Sequence, residues 1–504
     1  MTWKLLGLGI YLAALMGLGI VASRRMSSVR DYFAGNKQFG FLAAAFSARA
    51  TGESAWLLIG LTGMGAAVGA KAFWVVLGEV VGVLAAWALM CGRFKRLTDR
   101  YDSITIPDYL ESRFQDSTHL LRIVAAFALM IFVTIYVSAQ IDATGTAFES
   151  FLGIDYFVGA LLGFAVVTTY IVSGGFVAVV WSDVFQGTLM FLGLTLLPLY
   201  GLWHAGGLEP VIEGLRAIDP ALVSFTAGKP WSLKLAFEIL AFALIGLGFL
   251  GSPQIFVRFL SLKSDKEVLP GCVVAVLFTL FSDSGAVLLG MVGRHLLTGP
   301  GMEVTEVLGN KGQDVLPMLS EFLLPAALVG LVIAVVLSAI MSTVDSLLVV
   351  ASSAVVRDLY QKVMKPETPD SALVPLSRVM TVVLALLALG VAMIVAVTTP
   401  DRSVFWFVVF GWSGIAATFC PTMILSLYWS RFTAKGALAA MVTGFTCVPL
   451  FKFVLPDHIG VFATLEELPP AFLFSMAAGV IVSLLTRAPP DAAQDLLAAR
   501  GSDA

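Results

Sequence analysis

Two short stretches of this 504-residue chain concentrate side chains that could do chemistry: Arg49-Ala-Thr-Gly-Glu53-Ser54 and Ser342-Thr343-Val-Asp345-Ser346. Both sit inside long apolar runs. An ionised side chain at the centre of a membrane helix costs roughly 2.5 to 3.5 kcal/mol on insertion scales, so each charge needs a partner or a polar cavity. Arg49 and Glu53 stand four residues apart, on one face of a helix, and read either as a structural ion pair or as contacts for a solute or ion. Gly52, between them, is a place for the helix to break. A hard cation takes oxygen ligands, and Ser342, Thr343, Asp345 and Ser346 would supply several within little more than one turn. The same hydroxyls serve equally well to bond back to their own helix or to a neighbouring one. Asp183, in Val179-Val-Trp-Ser-Asp183-Val-Phe-Gln186, lies about two turns into another apolar run. Glu79, Asp142, Glu238, Asp283 and Glu321, in or near such runs, read as structural or interfacial. Tyr136, Ile245, Phe249 and Trp412 either line a small pocket or belong to the core.

The elements that must position these residues are membrane helices. Apolar residues make up 58% of the chain and charged residues 13%, about half the charged content of a soluble domain. Runs of about 20 apolar residues predict an all-α polytopic protein of thirteen spans, near 4–23, 41–68, 72–92, 121–148, 154–176, 177–204, 233–260, 268–297, 319–356, 374–397, 404–430, 436–454 and 467–486. With the N-terminus outside, twenty-one of the 31 basic residues fall in inside segments, among them Arg24, Arg25, Arg258 and Arg500, and eight in outside ones; this is a positive-inside bias. The segment 93–120 is too polar to span and predicts an amphipathic cytoplasmic connection.

Several functions are disfavoured. Net charge is −3 and no basic, aromatic-laced stretch is present to track nucleic acid. Cys91, Cys272, Cys420 and Cys447 lack the spacing of a disulfide framework or a zinc site, and the four histidines sit at span ends or in loops, so no cofactor and no redox or other enzymatic chemistry is expected. The cytoplasmic tail after Arg487 is too short to carry the signalling domain of a membrane sensor, and no obligate protein partner is evident.

Two of the apolar runs are interrupted: 41–68 by Gly52-Glu53-Ser54, and 233–260 by Gly246-Leu-Gly-Phe-Leu-Gly251-Ser-Pro253. Helices broken at mid-membrane free carbonyls and half-helix termini for ligands, and in inverted-repeat transporters they are the first helices of two five-helix halves. Here those halves would be about 41–204 and 233–430, followed by C-terminal helices over 436–486, all in one transmembrane domain.

The chain resembles the sodium:solute symporters, and within them the bacterial sodium/proline symporters, over nearly its whole length. The likeness is carried by Asp31-Tyr-Phe-Ala-Gly35, Ser54-Ala-Trp-Leu-Leu-Ile-Gly60, Thr134-Ile-Tyr136, Gly174-Gly-Phe-Val-Ala-Val-Val-Trp-Ser-Asp183, Gly246-Leu-Gly-Phe-Leu-Gly251 with Pro253, Ala339-Ile-Met-Ser-Thr343 and Tyr428-Trp-Ser-Arg-Phe432. The resemblance implies a leucine-transporter-type five-plus-five inverted repeat in the cell membrane. It also implies a Na+ site made by the backbone oxygens of Ala50, Glu53 and Ala339 with the hydroxyls of Ser342 and Thr343. Asp183, Asp345 and Ser346 match the positions of a second ion in some members. Arg49, Glu53, Ser54, Tyr136, Ile245, Phe249 and Pro253 are the candidate solute contacts. The chain departs from the proline symporters where they carry an aspartate and this sequence has Gly52, and where they carry Trp and Tyr and it has Ile245 and Phe249; the side chains of Arg49 and Glu53 replace uncharged ones. What the resemblance implies is import of a small organic solute, an amino acid or other carboxylate, driven by Na+ as coupling ion. H+ coupling, through Glu53, Asp183 or Asp345, is the alternative.

Overall fold

The structure, a computed structural model, describes residues 2–23, 29–487 and 492–499; Arg24, Arg25 and Arg500 lie outside them. The described residues form helices and no strands, with one isolated parallel bridge between Phe39 and Leu262. The helices used below are α1 (Thr2–Ser23), α2 (Phe41–Gly52), α3 (Phe73–Ala85), α4 (Leu120–Leu152), α5 (Tyr156–His204), α6 (Leu233–Ala243), α7 (Pro253–Leu260), α8 (Val268–Leu297), α9 (Ala326–Ser353), α10 (Leu373–Thr398), α11 (Val404–Tyr428), α12 (Ala434–Phe453) and α13 (Leu468–Leu485). Their polarity is that of a membrane protein. Leu386, Leu387 and Ile394 on α10 point outward and are more than half exposed, while Arg49, Arg258, Asp183 and Asp345 are fully buried.

Among the described residues eleven helices are long and apolar enough to cross a membrane. Two of the thirteen runs do not stand alone as such helices. The run 41–68 is cut after Gly52, and its second part, starting at Trp56, continues into α3. The run 154–176 is the front of α5, which is bent at Gly175, where φ is +58°. The run at 319–356 starts later, at Ala326, after the short helix Val315–Leu323.

Both interruptions read from the sequence are breaks. α2 stops at Gly52, and Glu53 takes non-helical angles (φ −87°, ψ 75°). α6 ends in a tight 3-10 stretch, Leu244–Leu250, before Gly251 and Ser252 turn the chain into α7. The far ends of the two broken spans are joined. The Phe39 amide donates to the Ser261 carbonyl at 3.1 Å, the Lys263 amide to the Phe39 carbonyl at 2.9 Å, and Glu267 accepts from the Phe41 amide at 2.7 Å. α2 has no side-chain cap of its own, so Glu267 satisfies an otherwise orphaned N–H at its start.

α3 lies backbone to backbone against the 3-10 stretch. A Cβ on Gly78 would fall 2.0 Å from the Ala243 carbonyl oxygen, one on Gly82 2.2 Å from that of Gly246, and one on Gly246 2.0 Å from that of Gly78. Small residues four apart are what lets membrane helices approach this closely. The contact holds Glu79, between those glycines, beside the second break.

The polar connection after α3 contains the helices Gly92–Arg100 and Ile106–Phe114. It is pinned by Arg122, whose guanidinium meets Asp108 and Glu111 at 2.7 Å and also bonds Asp358. The described part of the tail, Ala492–Ala498, rests on the same connection through Arg100–Asp495 (2.9 Å) and Tyr101–Asp495 (2.7 Å). Burial works to raise the Glu111 carboxyl, but hydrogen bonds from Arg122 and His119 hold it below the ordinary carboxylate range. A carboxyl with a lowered folded-state pKa contributes stability that is complete at neutral pH and fades as the pH falls through that lowered value. Arg122→Gln, which strands three carboxyls, is expected to cost about 3–5 kcal/mol. Thermal unfolding of detergent-solubilised protein between neutral and acid pH should show the loss, together with a shallower acid-side decline in the variant than in the wild type.

Candidate functional site

A helix that ends in hydrocarbon exposes its last carbonyls, and each needs a partner. At the α2 break the partners come from three helices. Ser342 Oγ donates to the Ala50 carbonyl at 2.9 Å and Thr343 Oγ1 to the Thr51 carbonyl at 2.9 Å, both from α9. Trp56 Nε1 takes the Gly52 carbonyl at 2.9 Å, and the Ala55 amide donates to Gln140 Oε1 on α4 at 3.1 Å. Ser342 Oγ also lies 2.7 Å from the Ser338 carbonyl and 3.2 Å from that of Ala339. Four backbone oxygens and two hydroxyls therefore converge where the negative end of α2 meets α9. If the hydroxyls turn their protons outward, this is an all-oxygen nest of the kind a hard cation takes. Ala50, Ala339, Ser342 and Thr343, named from the sequence, are brought together here. The Thr51 carbonyl joins them, and the Glu53 carbonyl is bonded to neither hydroxyl.

One turn further along α9 is a second polar network. Arg258 on α7 donates through Nη2 to Asp183 at 2.9 Å, through Nε to Ser47 at 2.9 Å and through Nη1 to the Gln254 carbonyl at 2.7 Å; Nη2 also bonds Ser346. Ser47 bonds Asp183, and Thr51 and Ser346 share a hydrogen bond at 2.8 Å. Ser346 lies 3.3 Å from Asp345. So Asp183, Asp345 and Ser346 do gather, around a guanidinium that the charge count had assigned to a cytoplasmic segment. Arg258 is instead fully buried. Its position after the break, on the face of α7 turned to α2, is invisible to a hydropathy window.

The second break is closed in the same manner as the first. Trp412 Nε1 donates to the Ile245 carbonyl at 3.0 Å, and Ser252 Oγ and Cys420 Sγ reach the Gly248 carbonyl at 2.5 and 3.3 Å. Between the two breaks is a small cavity lined by Gly52, Trp56, Glu79, Tyr136, Ile245, Phe249, Val408, Val409 and Trp412. Its free space for a water centre is about 10 Å³, roughly one water. Phe249 and Trp412 rings sit 5.1 Å apart across it. Thus Tyr136, Ile245, Phe249 and Trp412 share one pocket. Ser54 is behind it, 3.4 Å from the Tyr136 hydroxyl and 3.2 Å from Gln140 Nε2. Pro253 does not line it; it starts α7. A larger cavity of about 460 Å³, lined by Asp142, Thr146, Tyr156, Gln313, Asp314 and Arg402 among others, opens above the pocket along the same α4 and α11. Tyr136 and Asp142 are six residues apart on α4, a rise of about 9 Å.

Arg49 joins the pocket from behind. Its guanidinium bonds Glu53, lies 4.7 Å over the Phe249 ring, and stands 4.0 Å from Glu79; Nε and Nη1 have no partner. The acidic residues read as structural divide sharply. Asp142 pairs with Arg402, Glu238 with Lys71 and Lys229, and Glu321 with Lys4. Glu79 Oε2 and both oxygens of Asp283 are buried with no hydrogen bond. Gln254, just past the second break, has a buried amide with no partner at either end; the Ser-Pro-Gln that follows Gly251 was its signal in the sequence.

A bundle of membrane helices, two of them broken at one depth around an oxygen nest and a pocket, defines a secondary transporter of the inverted-repeat type. The sodium:solute symporter family model matches residues 32–444, and the chain belongs to that family. It is 33% identical to the osmoregulated proline transporter OpuE of Bacillus subtilis (98% of this chain, 96% of that one) and 31% identical to the sodium/proline symporter of Escherichia coli (96% and 93%). Its fold is that of a substrate-bound, outward-open Na+-coupled sialic acid symporter, with TM-score 0.78, 19% identity and coverage of 96% and 98%. MHP1, a nucleobase-cation-symport-1 family transporter solved in a closed conformation, also shares it at TM-score 0.53, with 13% identity and coverage of 93% and 98%. The family and these relatives are transporters, and the chain is a multi-pass membrane protein.

Breaking a buried ion pair by removing one partner costs about 3–5 kcal/mol, because the other charge stays behind. Arg258→Gln should therefore lower the melting temperature strongly, and adding Asp183→Asn should recover much of the loss. A double variant no more stable than Arg258→Gln alone would show that Asp183 is not the charge Arg258 neutralises.

Proposed function

We propose that this protein imports a proline-like amino acid together with Na+, by alternating access. The observation that carries the reading is the meeting of the Ser342 and Thr343 hydroxyls with the freed Ala50 and Thr51 carbonyls. The ion would bind there, between α2 and α9, with the hydroxyls rotated to offer lone pairs. Because the nest exists only while the break and α9 are in register, the ion has a higher affinity for that arrangement and stabilises it. That differential affinity is what couples ion to solute. Arg258 holds Asp183 and Ser346, and Ser346 in turn meets Asp345; the guanidinium already supplies the positive charge a second Na+ would bring, and we therefore assign one ion to the cycle.

The solute would occupy the pocket between the breaks. Tyr136, Ile245, Phe249 and Trp412 give it apolar walls suited to a small ring, and the names of the relatives support proline. Arg49 would meet the solute carboxylate. Glu53 engages Nη2, so the Nε and Nη1 N–H groups, which point to opposite sides of the guanidinium, stay free to donate singly. The cavity is too small for such a solute as it stands, so Phe249 and Trp412 must part. We place the N-terminus outside from the basic-residue bias, and on that orientation the larger cavity at Asp142 and Arg402 is the approach from the exterior. The repeats would run over about 41–204 and 233–430.

Uptake of labelled proline into proteoliposomes should require an inward Na+ gradient. Thr343→Ala and Ser342→Ala should each raise the Na+ concentration for half-maximal uptake by about tenfold, the equivalent of one charge-assisted ligand contact at 1.4 kcal/mol. Unchanged Na+ dependence in both variants, or uptake driven by H+ alone, would overturn the assignment.

A further inference from the structure

The cavity between the two breaks is walled by four aromatic side chains, Trp56, Tyr136, Phe249 and Trp412, and by three branched aliphatic ones; its one charged lining residue is Glu79. The rings meet at steep angles, Tyr136 and Trp412 at 76° and Phe249 and Trp412 at 57°, as the walls of a box do and not as a stack. Their polar edges are engaged elsewhere. Trp56 Nε1 is on the Gly52 carbonyl at 2.9 Å, Trp412 Nε1 on the Ile245 carbonyl at 3.0 Å, and the Tyr136 hydroxyl on Ser54 at 3.4 Å. The lining side chains therefore offer a guest no free N–H or O–H donor. What they offer is aromatic faces and a carboxylate. Glu79 is 1% exposed, and its Oε2 has no hydrogen-bond partner. Among the described residues the basic nitrogen within 4 Å of it is Arg49 Nη2, at 4.0 Å, which already bonds Glu53 and does not line the cavity.

Such walls suit an ammonium, since ring faces attract a positive nitrogen and a carboxylate opposes its charge. How far that nitrogen is alkylated follows from the acceptors available. A primary ammonium brings three N–H donors, each of which costs free energy when buried unpaired. The lining side chains supply one acceptor group, and the Gly52 and Ile245 carbonyls at the breaks are already taken. A nitrogen that carries carbon in place of hydrogen needs fewer acceptors and lays its C–H groups against the rings. We propose that the pocket recognises its solute through an alkylated ammonium, with Glu79 as counter-ion, and that N-methylated and quaternary ammonium carboxylates are therefore solutes of this site alongside proline. This rests on the reading of that pocket as the solute site. The carboxylate of such a solute turns to the free N–H groups of Arg49, while its nitrogen stays among the rings next to Glu79. A quaternary nitrogen has no proton to give or take. No bond is made or broken on entry, and a zwitterion leaves the net charge of the pocket unchanged. What changes is the pairing: Glu79, which Arg49 faces only from 4.0 Å, gains a positive partner in contact.

The test is calorimetric titration of the purified, Na+-saturated protein with three solutes: proline, N,N-dimethylproline, and 2,2-dimethylcyclopentanecarboxylate, which has the shape of the second with carbon in place of the nitrogen. N,N-dimethylproline should bind at least as tightly as proline. The carbon isostere should bind more weakly than N,N-dimethylproline by about thirtyfold, the loss of a desolvated contact between a cation and aromatic rings. Glu79→Gln, which keeps the shape and removes the charge, should weaken N,N-dimethylproline about tenfold and leave the isostere unchanged. Should that variant fail to fold, the two isosteres on the unaltered protein still decide. Equal affinity for the isosteres, or binding of proline without binding of N,N-dimethylproline, would overturn the proposal and leave the pocket as a proline site. Binding of N,N-dimethylproline without proline would uphold the ammonium site and overturn proline as the solute. Binding of none of the three would overturn both.

Discussion

A break in a membrane helix is tolerated only where something replaces the lost backbone hydrogen bonds, because hydrocarbon offers none. Everything functional in this protein follows from how two such breaks are satisfied. At the first, α9 lends hydroxyls to Ala50 and Thr51, Trp56 turns back onto Gly52, and Gln140 takes the Ala55 amide. At the second, Trp412, Ser252 and Cys420 do the same for Ile245 and Gly248. On the function proposed above, the groups that close the breaks also surround the ligands. A hydroxyl that bonds a carbonyl in one state is a cation ligand once its proton turns away. Trp412 is at once the cap of the second break and a wall of the pocket.

The surrounding bundle keeps these partners in register. Gly78, Gly82 and Gly246 let α3 touch the second break directly, at distances no side chain would permit. Arg258, on α7, ties Asp183 of α5, Ser47 of α2 and Ser346 of α9 into one buried network. The bridge at Phe39 and Leu262, with Glu267 capping α2, joins the ends of the two broken spans that lie farthest from the breaks. α2 and α7 are thus linked at two depths, so a movement of one is passed to the other. On the proposed alternating-access reading, such a shared element is one means by which occupation at one place changes affinity at another.

Much of this was legible along the chain. Gly52 and the Gly-rich run ending in Ser252-Pro253 announce the breaks by composition, and Ser342 and Thr343 mark by spacing a pair of hydroxyls, which the structure sets against the freed carbonyls of α2. Trp412 and Tyr136 were named for the pocket, where they meet. What the chain could not disclose depends on which helices touch. Arg258 counted as a cytoplasmic charge because hydropathy ends the span near it, yet the α7 turn carries it inward to Asp183. Glu79 and Asp283 looked like Asp142, Glu238 and Glu321 until the packing set bases in bonding contact with the latter three, left Glu79 4.0 Å from Arg49 and, among the described residues, gave Asp283 none within 4 Å. The Ser342 and Thr343 hydroxyls reach the Ala50 and Thr51 carbonyls; which carbonyls of a broken helix a neighbour meets is set by packing, which spacing along the chain does not show.

The central claim is that a cation stabilises the meeting of the α2 break with α9. Amide hydrogen exchange of the purified protein in Na+ against K+, without solute, addresses it directly. Exchange should slow in Na+ over residues 49–56 and 338–346 and change little over α12 and α13. Equal exchange in the two salts over both stretches would contradict the account.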